Sequence, residues 1–257
     1  MEIREIIDIF EEKHPKYLQE EWDNSGVQVG NIDQEVKNVL LTLEITPESI
    51  EEAINNNCNL IICHHPIIFP NIHSIDENHF KGKKIIEAIK NDIVIYASHT
   101  ASDVSGFNEF IFENMGYKSQ GKIVKTSEEY GYGSFADVDE NLDKIIKKIK
   151  DNLSLCKVLV YGEDIPVKRI GLVTGSGMDF IQEAIDAKID LFITGDITHH
   201  DAMDAMEQGV TLVDVGHEGS EGMFADFVEE LFSNNNKLSE IKTFKYYNDQ
   251  KYLRREV

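Results

Sequence analysis

A chain of 257 residues, 41% of them hydrophobic, has material for a sizeable core in one large domain or two lobes, and its composition excludes wholesale disorder. Its 47 acidic residues against 25 basic ones leave a formal charge of −22, which repels phosphate backbones and anionic membranes and argues against general nucleic-acid binding. A single nucleotide held through metal ions stays open, because local cations override the global field.

Ile3, Ile6, Ile7 and Phe10 mark one face of an amphipathic helix that ends before Pro15. This acidic start lacks the long apolar core of a signal peptide, and no apolar run in the chain is long enough to cross a bilayer. Cys58, Cys63 and Cys156 are odd in number and without CxxC spacing, which points to reduced thiols and a cytoplasmic protein. Glu21 to Gly30 reads as a loop entering a short strand at Val27 and Val29. Within it Trp22 is expected as a core plug and Asn24 as the head of an Asx turn. A strand over Val39–Leu43 and a helix over Pro47–Ile54 follow, with Thr46 as N-cap and Pro47 as first helical residue.

Leu60-Ile61-Ile62-Cys63 is an apolar run that stops in His64-His65-Pro66, where the proline forbids further strand. In open α/β sheets ligands gather beyond the carboxyl ends of strands, so two imidazoles there are candidate metal ligands if other strands bring partners. Without partners they are a packed pair at a strand end. Alternation turns Cys63 to the opposite face, into the core. A helix over Lys81–Lys90 and a strand over Ile93–Ala97 lead into Ser98-His99-Thr100-Ala101-Ser102-Asp103, and helical spacing then continues from Phe107 to Gly116.

From Lys122 to Ser134 the pattern weakens, and Tyr130-Gly131-Tyr132-Gly133 reads as a joint. The expected lobes are 1–124 and 125–257, with the C-terminal part able to pack back on the first. The second half offers a helix over Leu142–Leu153, a strand over Lys157–Tyr161 and a strand over Ile170–Val173 that opens into Gly175-Ser176-Gly177. A helix over Phe180–Ala187 and a strand over Asp190–Thr194 lead to Gly195-Asp196-Ile197-Thr198-His199-His200. The helix Ala202–Gln208, the strand Val210–Val215, the loop His217 to Glu221, a helix around Phe224 to Leu231 and a last strand with Phe244, Tyr246 and Tyr252 complete the chain.

The halves match at one constant offset: Val39 with Ile170, Leu41 with Leu172, Leu60 with Leu191, and Ile62 with Ile193. His64-His65 then fall on Gly195-Asp196 and, with the second copy shorter by 13 residues from there on, His99-x-x-x-Asp103 falls on His217-x-x-x-Glu221. Shared amphipathic patterning explains the apolar matches but not the paired loops. The expectation is an α/β protein of two similar, interlocked lobes from an internal duplication, with mixed sheets flanked by helices.

Three strand ends thus carry metal-ligand chemistry: His64-His65, His99 with Asp103, and His217 with Glu221. A spacing of four places two side chains on one side of a helical turn. Imidazoles with carboxylates suit zinc, iron, manganese or cobalt, whereas calcium takes oxygens alone. With this many candidates two ions sharing a carboxylate fit better than one.

The order Trp-Asp-Asn, His-His-Pro, His-Thr-x-x-Asp, Thr-Gly-acid-x-x-His-His and Gly-His-x-x-x-Glu resembles the Nif-three-like family, whose members include GTP cyclohydrolase 1 type 2 and its homologues. The resemblance spans nearly the whole chain. It implies a dinuclear divalent-metal site with His64, His65, Asp103, His217 and Glu221 as ligands, a two-lobed α/β fold, and a ring-shaped homohexamer. The chain departs from the family in Ala101-Ser102, where Asn-Leu is frequent, in Glu44, where Asp is usual, and in Ser134, where an Arg often stands. None of these removes a ligand, but Ser134 withdraws a cation from the pocket.

Two functions fit. One is metal-assisted hydrolysis, with two ions holding and acidifying a water, His99 as general acid/base or as an orienting group, and a nucleotide or other small molecule as substrate. The other is a metal-binding ring that acts as scaffold or adaptor. His199 and His200 are further site candidates or a helix start, and Gly175-Ser176-Gly177 is a phosphate cradle or a plain tight turn.

Overall fold

The apolar stripe of the first segment folds as α1 (Ile3–Lys13), whose Ile3, Ile6, Ile7, Ile9 and Phe10 are buried and whose end precedes Pro15. The computed structural model describes residues 1–247. Tyr252, expected in the last strand, lies outside them.

The chain divides into two compact units, one of Met1–Ser102 with Gly222–Val257 and one of Asp103–Glu221. These divide the chain at other places than the lobes expected at 1–124 and 125–257. The physical reason is a strand pairing: the chain returns to the first sheet to complete its edge.

The first unit contains α1, β1 (Gly26–Val29), β2 (Val39–Thr42), α2 (Pro47–Asn55), β3 (Leu60–Cys63), α3 (Phe80–Lys90), β4 (Val94–Ala97) and the short turn α4 (Thr100–Ser102). The second contains α5 (Asn108–Asn114), β5 (Val124–Lys125), β6 (Gly131–Tyr132), β7 (Ser134–Asn141), α6 (Leu142–Asn152), β8 (Leu159–Tyr161), β9 (Pro166–Leu172), α7 (Ile181–Asp186), β10 (Leu191–Thr194), α8 (His199–Glu207), β11 (Thr211–Asp214) and α9 (His217–Glu221). The first unit resumes with α10 (Phe224–Asn234) and β12 (Thr243–Tyr246).

Each unit is built on a mixed five-stranded sheet. The first runs β1-β4-β3-β2-β12, parallel except for β1. The second runs β7-β9-β10-β11-β8, with a parallel core β9-β10-β11 and antiparallel edges. In the first sheet Val39 pairs with Leu60 and Leu41 with Ile62. In the second Ile170 pairs with Leu191 and Leu172 with Ile193. Residues matched by the sequence offset thus occupy the same rungs of two parallel pairs.

Strands buried on both faces need helices on both sides. In the first unit Leu40, Ile61 and Ile95 meet Ile50, Ala53, Ile85 and Ala88 from α2 and α3. On the other face the Phe10 ring of α1 meets Tyr96 edge-on at 5.7 Å. In the second unit Phe192 and Leu212 pack with Ala184 of α7 and Ala202 and Ala205 of α8. Each fully buried Leu, Ile or Phe among them contributes roughly 1.5–3 kcal/mol, and each alanine less. The three cysteines are free, Cys58 and Cys63 in the core and Cys156 at the surface. Among the described residues no helix is long and apolar enough to cross a membrane.

Candidate functional site

β3 ends at Cys63 because Pro66 cannot extend it, and the next two residues are delivered at its carboxyl end. The amides of His64 and His65 both donate to the Leu43 carbonyl at 3.2 and 3.1 Å, which closes the chain over the end of β2. β4 ends at Ala97, one rung across from Cys63, so that His99 emerges beside them. The three imidazoles form a near-equilateral triangle, with ring centroids 4.9, 5.1 and 5.3 Å apart. One ligand atom from each of His64, His65 and His99 lies within 4.8 Å of the others.

Each ring is fixed through Nδ1. His64, fully buried, donates from Nδ1 to the Ser98 carbonyl at 2.9 Å, and its ring lies 4.8 Å from that of Phe224. His65 donates to Glu44 Oε1 at 2.6 Å, and His99 to Asp23 Oδ1 at 2.9 Å. Acceptors of this kind place the ring proton on Nδ1, so the lone pair of the neutral imidazole is at Nε2. Metal-ligating histidines are held in the same way, with the second nitrogen on a carboxylate or carbonyl.

The acceptors are themselves held. Asp23 receives the His99 ring, the Asn24 amide at 2.7 Å, the Thr100 amide and hydroxyl at 3.1 and 2.6 Å, and the Ser25 hydroxyl at 3.0 Å. Burial raises its carboxyl, but the His99 hydrogen bond and charge, with those from Thr100 and Asn24, outweigh this and hold it well below the carboxylate range. Glu44 follows the same logic: burial pushes it up, and His65, Lys84 and His64 bring it below its ordinary value. The departure at Glu44 therefore keeps the carboxylate that orients His65. Cys63, with its Sγ toward the Tyr96 carbonyl, is driven by burial to the thiol form and stays in the core, as strand alternation predicts.

The second unit presents another set. α9 puts His217 Nε2 3.0 Å from Glu221 Oε2, while His217 Nδ1 donates to Asp196 Oδ2 at 2.6 Å. Gly175, at φ +63°, makes room for this carboxylate: a Cβ there would stand 2.4 Å from Glu221 Oε1 and 3.6 Å from His217 Cε1. Its amide donates to Ser220 Oγ at 2.8 Å, and Ser220 donates onward to the His217 carbonyl at 2.8 Å. The neighbouring Thr174 hydroxyl lies 3.2 Å from Asp103 Oδ1, and its amide donates to Asn108 Oδ1 at 2.8 Å. Thr174-Gly175 thus links Asp103 to the His217–Glu221 pair.

Other expectations fare differently. Trp22 is not a core plug: it is 57% exposed, edge-on to His99 at 5.8 Å, because the turn that carries it points outward. The Asn24 side chain reaches across to the Ile68 carbonyl at 2.8 Å. The Gly175 and Gly177 amides donate to Ser220 Oγ and Thr194 Oγ1, so the loop is a tight turn and those donors are engaged within the protein. His199 and His200 are exposed on the first turn of α8, which Thr198 caps through the Asp201 amide. Ser134 is buried with its hydroxyl 3.3 Å from that of Ser119. Sequence reasoning missed Asp23, Glu44 and Asp196 as the groups that hold the histidines. The signal available was an acid at the end of a strand or in a loop with no local role.

Each unit by itself offers donors that a metal ion can use: three imidazoles with Nδ1 committed elsewhere in the first, and His217 with the carboxylates of Asp103 and Glu221 in the second, with Cys63 held as a thiol. Residues 1–250 match the model of the family Duf34/NIF3 (NGG1p interacting factor 3). Over 230 residues the chain is 37% identical to a Clostridium perfringens protein named GTP cyclohydrolase 1 type 2 homolog, covering 86% of this chain and 87% of the relative. It is 31% identical over 249 residues to the Helicobacter pylori protein named GTP cyclohydrolase 1 type 2, covering 95% and 96%. The crystal structure of a Bacillus cereus protein related to NIF3 aligns with a TM-score of 0.90 at 23% identity over 96% of each chain, a likeness of fold.

Proposed function

Because the chain belongs to the Duf34/NIF3 family, we propose that it is a metal-dependent hydrolase with two divalent ions as cofactor and a nucleotide such as GTP as substrate. The ligand set is His64, His65, Asp103, His217 and Glu221. The observation that carries this reading is the common fixation of His64, His65 and His217 through Nδ1, which aims each ring by an acceptor outside it. When bound, such ions supply Lewis acidity and a water acidified toward neutral pH.

The protein's own groups do the rest. Glu44 and Asp196 keep the His65 and His217 rings in one tautomer, and Gly175 leaves the Glu221 carboxylate its place. His99, whose Nδ1–H donates to the Asp23 carboxylate and leaves Nε2 available, is the proton-transfer group. The matched rungs of the two sheets support an internal duplication, in which Asp196 stands where the first copy has His65. The family resemblance supports a ring-shaped homohexamer as the working assembly, which light scattering of the purified protein checks.

Metal analysis and a nucleotide screen with added zinc, manganese, iron or cobalt test the function. His65→Ala is expected to lose bound metal, and His99→Gln to keep metal and lose turnover. Absence of turnover with every metal, with stoichiometric metal still bound, favours the scaffold reading. A wild type without metal, or one that turns over equally well when metal-free, refutes the proposal.

A further inference from the structure

Trp22 and Phe69 have no role in the scheme above. Trp22 sits at the tip of a turn whose amide at Asp23 donates to the Glu20 carbonyl at 3.0 Å. The Glu20 amide donates to Thr100 Oγ1 at 3.0 Å, and the Asp23 carboxylate holds both Thr100 and His99. The same residues that fix His99 therefore fix the loop that presents the indole.

Phe69 stands beside it, with ring centroids 5.9 Å apart, planes at 55°, and 38% of its surface exposed. Its segment is tied to the Trp22 loop by the Asn24 side-chain Nδ2 donating to the Ile68 carbonyl and by the Ile68 backbone amide donating to Gln28 Oε1 at 3.3 Å. Two aromatic faces thus meet at an open angle on anchored backbone, next to the triangle of histidines. Rigid, exposed rings offer π-stacking at little entropic loss, and stacking suits recognition in a chain of charge −22, where cationic contacts are scarce.

We infer that Trp22, flanked by Phe69, is the stacking platform for a planar heteroaromatic ring, the purine of the nucleotide brought to the histidine cluster. The inference rests on the proposed function for the identity of the ligand, and its test reads binding without turnover.

Trp22 is the only tryptophan of the chain, so its emission reports directly on its own face. The full-length protein is titrated with GTP and guanosine, and with tripolyphosphate and ribose 5-phosphate as ligands lacking the ring. Saturable quenching by the first two and none by the second two is expected. In equilibrium dialysis Trp22→Ala is expected to weaken GTP binding roughly five- to 150-fold, with Trp22→Phe restoring most of it.

Wild-type affinity in a folded Trp22→Ala protein overturns the inference, as does equal quenching by tripolyphosphate or no quenching by any purine. Emission that follows protein concentration without ligand, with a changed sedimentation coefficient in Trp22→Ala, overturns it in favour of a contact between copies. Metal content measured on the same samples separates the two ideas. Intact metal with unaffected binding removes the platform alone, whereas purine-dependent quenching without bound metal removes the hydrolase and keeps the platform.

Discussion

Replacing Gly175 by alanine separates backbone strain from damage to the carboxylate it faces. At φ +63° an alanine costs about 1–2 kcal/mol in conformational energy alone. Its Cβ would in addition stand 2.4 Å from Glu221 Oε1, nearer than such contacts come, and Glu221, 3% exposed, has little room to withdraw. Gly209 supplies the control: its φ is +84°, and nothing lies within 4 Å of a Cβ built there. Both variants should therefore lose about 2–4 °C of melting temperature per kcal/mol of strain. Only Gly175→Ala should also lose metal affinity, by roughly ten- to hundred-fold, as when a group that supports a ligand is displaced. Cobalt(II) titration followed by visible absorption, with calorimetric melting of the metal-free proteins, gives both quantities. Equal metal affinity in Gly175→Ala, Gly209→Ala and wild type would refute the view of Gly175 as the space kept for Glu221.

Glu44→Ala leaves the His65 ring without its acceptor and is expected to lower metal affinity roughly ten- to hundred-fold in the same titration, with secondary structure retained. His14, buried between Phe10 and Phe227, has its pKa lowered by burial from 6.5 to about 3, with Lys13 adding to the shift. The unfolded chain therefore binds a proton that the folded one refuses, so stability is full above pH 6.5 and declines below it, by about 2 kcal/mol at pH 5. Denaturant unfolding at pH 7 and pH 5 should show this decline in the wild type and a smaller one in His14→Leu. Thr46→Ala removes the hydroxyl that accepts the Ser49 amide at 3.0 Å at the start of α2, and is expected to cost about 1 kcal/mol in the same assay.

Much of the architecture was legible because the parallel strands of both sheets are short apolar runs bounded by turn formers. Pro15, Pro47 and Pro66 punctuate the chain where the elements change. β7 has no apolar run to mark it: Asp137, Asp139 and Glu140 fall within Ser134–Asn141, since an edge strand with one wet face needs few apolar residues. Trp22 departs from the burial that a large apolar side chain predicts, because the tertiary fixing of its turn by Thr100 leaves it facing water. The histidines were visible from strand ends and spacing. Their acceptors were not, because Asp23 lies far from His99 in sequence and Glu44 far from His65, and no local pattern records such pairings.

The return of the chain to the first sheet sets an order of assembly during synthesis. β2 is paired on one side by β3 soon after it emerges, but its other edge waits for Thr243–Tyr246. At ribosomal speeds the wait lasts on the order of ten to forty seconds. The continuous stretch Asp103–Glu221 has all its own strands shortly before the wait ends. Through that interval the first unit keeps an open, apolar strand edge, the kind of surface that pairs with other chains, and the second unit is completed only in its last few seconds, about one to four at the same speeds. Ribosome-associated chaperones are expected to hold this intermediate, and stalling the ribosome before Thr243 should prolong their binding, whereas stalling after Tyr246 has left the exit tunnel should release it.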